Sequence, residues 1–422
     1  MKKTIKQLAL VLLGIIALTP AIGQTVNMNR WVDLTVTQGE LISIELKSEN
    51  ENTFVKITSG LTDTTFTIGQ WYSEMSKYFA QSSTMRVYGD IKTFYCNDNG
   101  SKVTELNASN SIGLKNISCY NNSITNLNVS GLTTLENLNC DNNSLASLNV
   151  SGLNALKELL CMNNLLTNLN VDGLNALKRL YCHHNSITNL NANGNTALEY
   201  LDCYNNSITN LNISGLTALY SLNCSNNSIS NLNVSGFTTM RFLDCSNNFI
   251  TSLKINGCNN LMSIECFTNQ LSACSLDSIF HKLPTYQQSN LTIYIKDGSE
   301  SNPGATTCRD TIASNRNWRV ADKSNFFDIV NSYYACPYFT LDIEEVEIIN
   351  ISAKVYPNPV SNTLSIECRE KINSIILYNA SGKEVFKTKE TKDIDFSNLT
   401  EGVYILNLIT DKGKGSYKVI KQ

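Results

Sequence analysis

Between Ile91 and about His281 the cysteines of this chain recur at a fixed spacing. Cys119, Cys140, Cys161, Cys182, Cys203, Cys224, Cys245 and Cys266 are each 21 residues apart, and Cys96 stands 23 before the first. Three residues after each of these nine cysteines is an asparagine, from Asn99 and Asn122 to Asn248 and Asn269. Two residues before each is an apolar side chain, from Phe94 and Ile117 to Leu243 and Ile264. A chain locked to such a period folds as a solenoid, because one unit cannot bury its apolar edge alone and stacked neighbours bury it for one another. In Asn137-Leu138-Asn139-Cys140-Asp141, residues 138 and 140 point one way and the other three the opposite way, which is strand alternation. The recurring asparagine falls where the chain leaves that strand with backbone groups facing a dry interior. A carboxamide there satisfies donors and acceptors of adjacent coils together. Glycine also recurs once per unit, at Gly131, Gly152, Gly173, Gly194, Gly215, Gly236 and Gly257, where the far side must turn sharply.

The template L-x-x-L-x-C-x-x-N-x-L closely resembles the leucine-rich repeat, with Cys in the place of the third Leu. The second half of each unit, L-x-x-L-N-V-S-G-L, repeats the apolar rhythm as in the short bacterial repeats of that family. The resemblance implies a right-handed coil with a parallel sheet along its concave face, built from nine repeats over 91–281. The expected fold class is therefore β-rich: a leucine-rich-repeat solenoid between an N-terminal β cap and a C-terminal Ig-like β-sandwich. Residues 24–90 read as short strands (Val32–Val36, Leu41–Leu46, Phe54–Thr58, Thr84–Tyr88), with Trp31, Trp71, Tyr72 and Tyr78 supplying bulk. This segment also resembles the one that precedes such repeats in secreted bacterial proteins, and it is expected to close the apolar end of the coil. An independent binding domain is the alternative. After Leu271 the period fails. Leu276–Leu283 has helical spacing, Leu291–Ile295 reads as a strand, and residues 282–340 as a degenerate closing unit. The acidic stretch from Leu341 opens a linker, 341–353.

Residues 354–422 carry a second signal. Val355-Tyr356-Pro357-Asn358-Pro359, LYNASGK, LTEGVYIL and the terminal YKVIKQ together resemble the C-terminal sorting domain of type IX secretion substrates. The resemblance implies a small Ig-like sandwich that serves as an export address for the type IX machinery, commonly followed by cleavage and surface attachment. At the other end, Lys2, Lys3 and Lys6 precede the apolar run Leu8–Leu18, Pro20 and Ala21-Ile22-Gly23. That is a secretory signal peptide over 1–23, cut before Gln24. The apolar run is too short to span a bilayer, and no other stretch reads as transmembrane. The chain is expected to be exported, secreted or held at the outer cell surface.

Fourteen cysteines in an exported chain ordinarily suggest disulfides. Here nine share one inward column, where in-register neighbours about 4.8 Å apart with parallel side chains are poorly placed to bridge. With Cys258 and Cys274 they make eleven small core hydrophobes. No metal is expected on the column, which lacks histidine or acidic co-ligands and an opening. Of the remaining Cys308, Cys336 and Cys368, only Cys308 with Cys336 is entertained as a disulfide.

Charge is sparse at 16% and nearly balanced at −3, which gives no support for nucleic-acid binding. No nucleophile elbow, zincin motif or phosphate loop appears, and the three histidines are His183, His184 and His281. Cys182 and His183 make no dyad, because adjacent strand residues face opposite ways. Neither an enzymatic activity nor a cofactor is expected. Two readings remain: a recognition module binding a protein or glycan through the concave face, or a structural rod. A reader needs side-chain variety on the exposed strand positions and a rod does not. Those positions lie three and one before each cysteine and one after it. They are bland at Asn137, Asn139 and Asp141 and at Ser221, Asn223 and Ser225. Between these they change to Glu158, Leu160 and Met162, then Arg179, Tyr181 and His183, then Tyr200, Asp202 and Tyr204. That set has the composition of an interaction hot spot. Tyr181 and Tyr204 are expected to anchor a ligand, with Arg179 and Asp202 orienting it. Phe242 and Phe267 lie further along. The resemblance to type IX substrates implies O-glycans at Asp-Ser/Thr motifs followed by an apolar residue or Thr, which here are Thr64, Ser278 and Thr311, while the N-x-S/T sequons are by-products of the repeat.

Overall fold

The computed structural model describes residues 25–71, 75–285, 291–331, 336, 353–379, 384–410 and 414–422. The expected signal peptide, Tyr72 and residues 341–352 of the expected linker lie outside them. Residues 1–337 and 338–422 are separate compact units, each with its own apolar core.

The first unit is a β-solenoid. Nine three-residue strands, from Thr93–Tyr95 and Asn116–Ser118 to Phe242–Asp244 and Ser263–Glu265, stack in parallel. Their register is strict: Leu138 pairs with Leu159, Leu159 with Leu180, and Leu180 with Leu201. These leucines and the nine cysteines point inward and are buried. Every strand therefore buries the same face against its neighbours. On the second side the N-L-N triplets form shorter parallel pairs, as between Asn189–Asn191 and Asn210–Asn212.

Between the two sides runs the asparagine ladder. Asn164 Nδ2 donates to the carbonyls of Cys140 (3.0 Å) and Cys161 (3.2 Å), and its Oδ1 accepts from Leu145 N at 3.0 Å. Asn185, Asn206, Asn227 and Asn248 repeat the pattern. The residue just before each ladder asparagine is left-handed, with φ between 49° and 58° from Asp98 to Thr268. Asparagine fills most of these places at little cost, whereas the β-branched Thr268 holds its place with a less suitable side chain. On the far side Gly152 has φ 79° with open space around it, so the glycine is needed for its backbone angle and not for room.

The ends of the coil are closed by continuing its sheets. Leu41–Lys47 pairs antiparallel with Thr93–Tyr95 and prolongs the concave sheet. Trp31–Val36 pairs with Val103–Asn107 and prolongs the second side into a six-stranded sheet. Asn99, first of the ladder, exchanges hydrogen bonds with Ser43 N and O at 2.7 and 3.1 Å, so the cap is stitched to the coil by the coil's own device. Two cap strands, Thr62–Ile68 and Ser76–Phe79, escaped the sequence reading. Both are edge strands without a clean apolar alternation.

At the other end the helix Ala273–Lys282 is capped by Ser272. The strand Leu291–Asp297 continues the parallel sheet beyond Ser263–Glu265, and Trp318–Asp322 follows it. Asn302 takes the next ladder place outside the period. Its Nδ2 donates to Cys266 O at 2.8 Å, and its Oδ1 accepts from Leu271 N at 3.1 Å.

The cysteine expectations need correcting here. Cys274 is no core hydrophobe: it forms a disulfide with Cys336, with Cα atoms 5.2 Å apart. Where the helix replaces the coil at Ala273, position 274 lies on its exposed side and meets Cys336. Arg309 Nη2 holds the Cys336 carbonyl at 2.9 Å. Cys308 is buried and unbridged, with Asn331 Nδ2 3.4 Å from its sulfur, so the expected bridge from Cys308 to Cys336 does not form. The nine column cysteines and Cys258 are free and buried.

The second unit has a three-stranded antiparallel sheet, ordered Ala353–Tyr356, Thr363–Cys368, Ile394–Asp395. Its four-stranded partner is ordered Glu384–Thr388, Ile372–Asn379, Gly402–Thr410, Lys414–Lys421. Leu364, Ile375, Leu377, Phe396, Leu406, Leu408 and Val419 fill the core between them. Tyr404 donates its phenolic hydrogen to the carbonyl of Thr400 at 2.8 Å, the tyrosine corner that recurs in Ig-like sandwiches.

Candidate functional site on the concave face

The parallel strands bring residues one repeat apart side by side. Glu158 sits beside Arg179, Arg179 beside Tyr200, and Tyr181 beside Asp202. Arg179 Nη1 lies 3.5 Å from Glu158 Oε1, and its guanidinium lies 5.7 Å from the centre of the Tyr200 ring. Tyr200 then leans on Tyr220 (ring centroids 5.6 Å), and Tyr220 meets Phe242 edge-on at 5.7 Å. Arg241 covers Tyr220 at 5.7 Å. From Glu158 to Phe242 this row crosses five adjacent strands. Tyr220 and Arg241 belong to it, although the sequence reading missed both. Each lies four residues before its cysteine, just outside the strand, and reading that position as a fourth exposed row would have found them.

A second group lies at the other end of the same strands. The Tyr204 ring stacks on His183, with centroids 4.3 Å apart and planes 15° from parallel. His184 meets Tyr204 edge-on at 5.1 Å, while Asn205 Nδ2 lies 3.2 Å from His184 Nδ1. Between the two groups sit Tyr181, Asp202 and Leu160. Two polar atoms here are buried without a hydrogen-bond partner, His183 Nδ1 and Asp202 Oδ1. Burial, reinforced by the neighbouring His184, lowers the His183 imidazole to about 4, so it is neutral at physiological pH. Burial raises the Asp202 carboxyl to about 6, against the opposing pull of the Tyr204 backbone amide. The Tyr181 and Tyr204 hydroxyls are both raised by burial.

The exposure expected of some positions is not what is found. Leu160 and Met162 are half-buried, not exposed. Asp141, one of the bland positions, is buried. Its carboxylate accepts from Met162 N at 2.9 Å, and burial raises it to about 7. Of the glycan positions, Thr64 is exposed on the edge strand Thr62–Ile68 and Thr311 on the short helix Asp310–Ser314. Ser278 is half-buried on its helix beside Asp277, which is fully buried and accepts from Arg309 N. Among the described residues no group of three or more His, Cys, Asp or Glu is placed to hold a metal ion, and no helix is long and apolar enough to cross a membrane.

Solved structures similar to this chain are repeat proteins. The functional domain of InlJ from Listeria monocytogenes, which includes a cysteine ladder, is 18% identical with a TM-score of 0.42, over 82% of this chain and 94% of that one. The leucine-rich-repeat protein LIC12759 of Leptospira interrogans is 21% identical with a TM-score of 0.39, over 50% and 61%. YopM from Yersinia enterocolitica WA-314 is 24% identical with a TM-score of 0.35, over 38% and 34%. No curated protein matches the chain significantly. Residues 354–422 match the family described as the secretion system C-terminal sorting domain. A β-solenoid of 21-residue repeats therefore carries the address of type IX secretion, which takes it to the cell surface or outside.

Proposed function

We propose that this protein is a surface or secreted recognition module whose concave face binds a protein partner. The observation that supports this most directly is the continuous row from Glu158 through Arg179, Tyr200 and Tyr220 to Phe242 and Arg241. There the Asn and Ser of a merely structural rod give way, on adjacent strands, to aromatic rings and cations in mutual contact. At roughly 4.8 Å per strand the row is about 15–20 Å long, and the Tyr181–Asp202–Tyr204–His183 group widens it. Rings and arginines in this density, with charged groups at the edges, suit a protein hot spot better than a single sugar. Each is pre-positioned by the sheet, so little side-chain entropy remains to be lost on binding.

Capture from the surface of target cells with residues 24–340 as bait, followed by a binding titration of the captured partner, tests the proposal. Replacing both Tyr181 and Tyr204 with alanine is expected to weaken that binding by about 2–4 kcal/mol while leaving the fold intact. Full binding by both this variant and one with Tyr200→Ala and Tyr220→Ala removes the concave patch as the site. Failure to capture any partner favours the rod.

A further inference from the structure

We propose a second binding site, for a neutral oligosaccharide, on the outward face of the N-terminal cap. It is independent of the concave patch. The cap needs only the inward face of its six-stranded sheet to close the coil, and Val32, Leu34, Met85 and Val87 are buried there. The outward side chains alternate with these and line up across strands. Asp33 pairs with Arg86 and with Asn107, while Thr35 pairs with Thr84 and with Glu105. Thr58 pairs with Arg86 from the next strand. Together they floor a hollow of about 560 Å³.

The chemistry of this floor selects its ligand. Its one cation, Arg86, and the neighbouring Lys56 are already engaged. Arg86 Nη2 donates to Asp33 Oδ2 at 3.0 Å, and its guanidinium lies 5.0 Å from the centre of the Trp31 ring and 5.7 Å from that of Tyr88. Lys56 is paired with Asp63. Glu105 is exposed, accepts only a hydroxyl hydrogen bond from Thr35 at 3.0 Å, and has no cation partner among the described residues. The hollow is thus slightly acidic, which opposes anionic ligands such as uronates, sulfated sugars or nucleic acid. Short hydroxyls and a carboxylate, set beside the Trp31–Tyr88 pair, offer many hydrogen bonds and a planar edge but little free apolar area. That combination matches a neutral polyhydroxylated chain and is poor for a protein interface. Adjacent positions about 4.8 Å apart across the strands repeat on the scale of successive sugar rings.

The test uses the full exported chain on an array of neutral gluco-, manno- and chito-oligosaccharides together with sulfated and uronic ones. The comparison is between wild type, a cap variant (Glu105→Ala with Thr84→Val) and the concave variant (Tyr181→Ala with Tyr204→Ala). An unchanged thermal midpoint confirms that each variant folds. The expected result is binding to neutral glycans that falls about tenfold or more in the cap variant, the loss of one or two hydrogen bonds, and persists in the concave variant. Three outcomes overturn the proposal: no neutral glycan retained by wild type, preference for the anionic glycans, or binding lost in the concave variant but kept in the cap variant.

Discussion

At the scale of single residues, the concave face is governed by what burial does to ionisable groups. Asp141 is 4% exposed and its carboxyl is raised to about 7 from an ordinary 3.8. Between pH 4 and 7 the unfolded chain loses this proton before the native one does. The contribution is therefore fully favourable below about pH 4 and is lost as pH rises through 7. At about 1.4 kcal/mol per unit, Asp141→Asn is expected to be more stable than wild type by about 2–4 kcal/mol above pH 7 and little different below pH 4, as read by denaturant titrations at the two pH values. A gain that is equal at both would show that the carboxyl is not held protonated. Thiols follow the same rule. Burial pushes Cys119 up to about 12 and raises the other column cysteines likewise, so no reactive thiolate is present at neutral pH. Native protein is expected to label slowly at these positions and fast in denaturant, and Cys182→Ser should cost about 1–3 kcal/mol because its hydroxyl is desolvated in an apolar column. Rapid native labelling of several column thiols would contradict this.

Among the elements, the two caps are held in different ways. The N-terminal cap is joined by noncovalent contacts only, among them sheet pairing and Asn99, whereas the helix Ala273–Lys282 is also tied covalently to Cys336 across 62 residues. Closing a loop of that length stabilises the folded cap by about 2–4 kcal/mol. Cys274→Ser is expected to lose that amount under oxidising conditions and to be insensitive to reductant. Cys308→Ser should keep the reductant sensitivity of wild type. If Cys308→Ser instead abolished it, the bridge would be assigned wrongly. Asn302 shows how the same cap is seated: a ladder asparagine reached by a different chain path does the work that period supplies elsewhere.

For the whole molecule the second unit supplies the address, and recognition is the role proposed for the first. The sorting segment 354–422 has a core of its own, so removing it leaves the core of the solenoid whole. In a host with type IX secretion, the mature protein is expected to begin at Gln24 and to lack the residues after about 350. Intact-mass measurement of surface material reads both ends at once. A surface-attached protein still ending at Gln422 would contradict the second half.

Sequence alone determined the coil, because a strict repeat allows one stacking register and puts Leu138, Cys140 and Asn143 in the same roles in every unit. It named the sandwich at 354–422 through the resemblance carried by its YPNP, LYNASGK and LTEGVYIL motifs, which implied that fold. It named Arg179, Tyr181, Tyr200 and Tyr204 because repeats predict which positions share a face. Tertiary structure alone decided what broke the period. Cys274 was turned to Cys336 when a helix replaced the coil, and Asn302 joined the ladder from outside the period. Tyr220 and Arg241 entered the concave row from a position just before the strand. Asp141 was buried by neighbours one repeat away. Local pattern specifies which way a residue points, but its exposure and partners depend on the length of side chains 21 residues away, and only the stacked molecule brings those together.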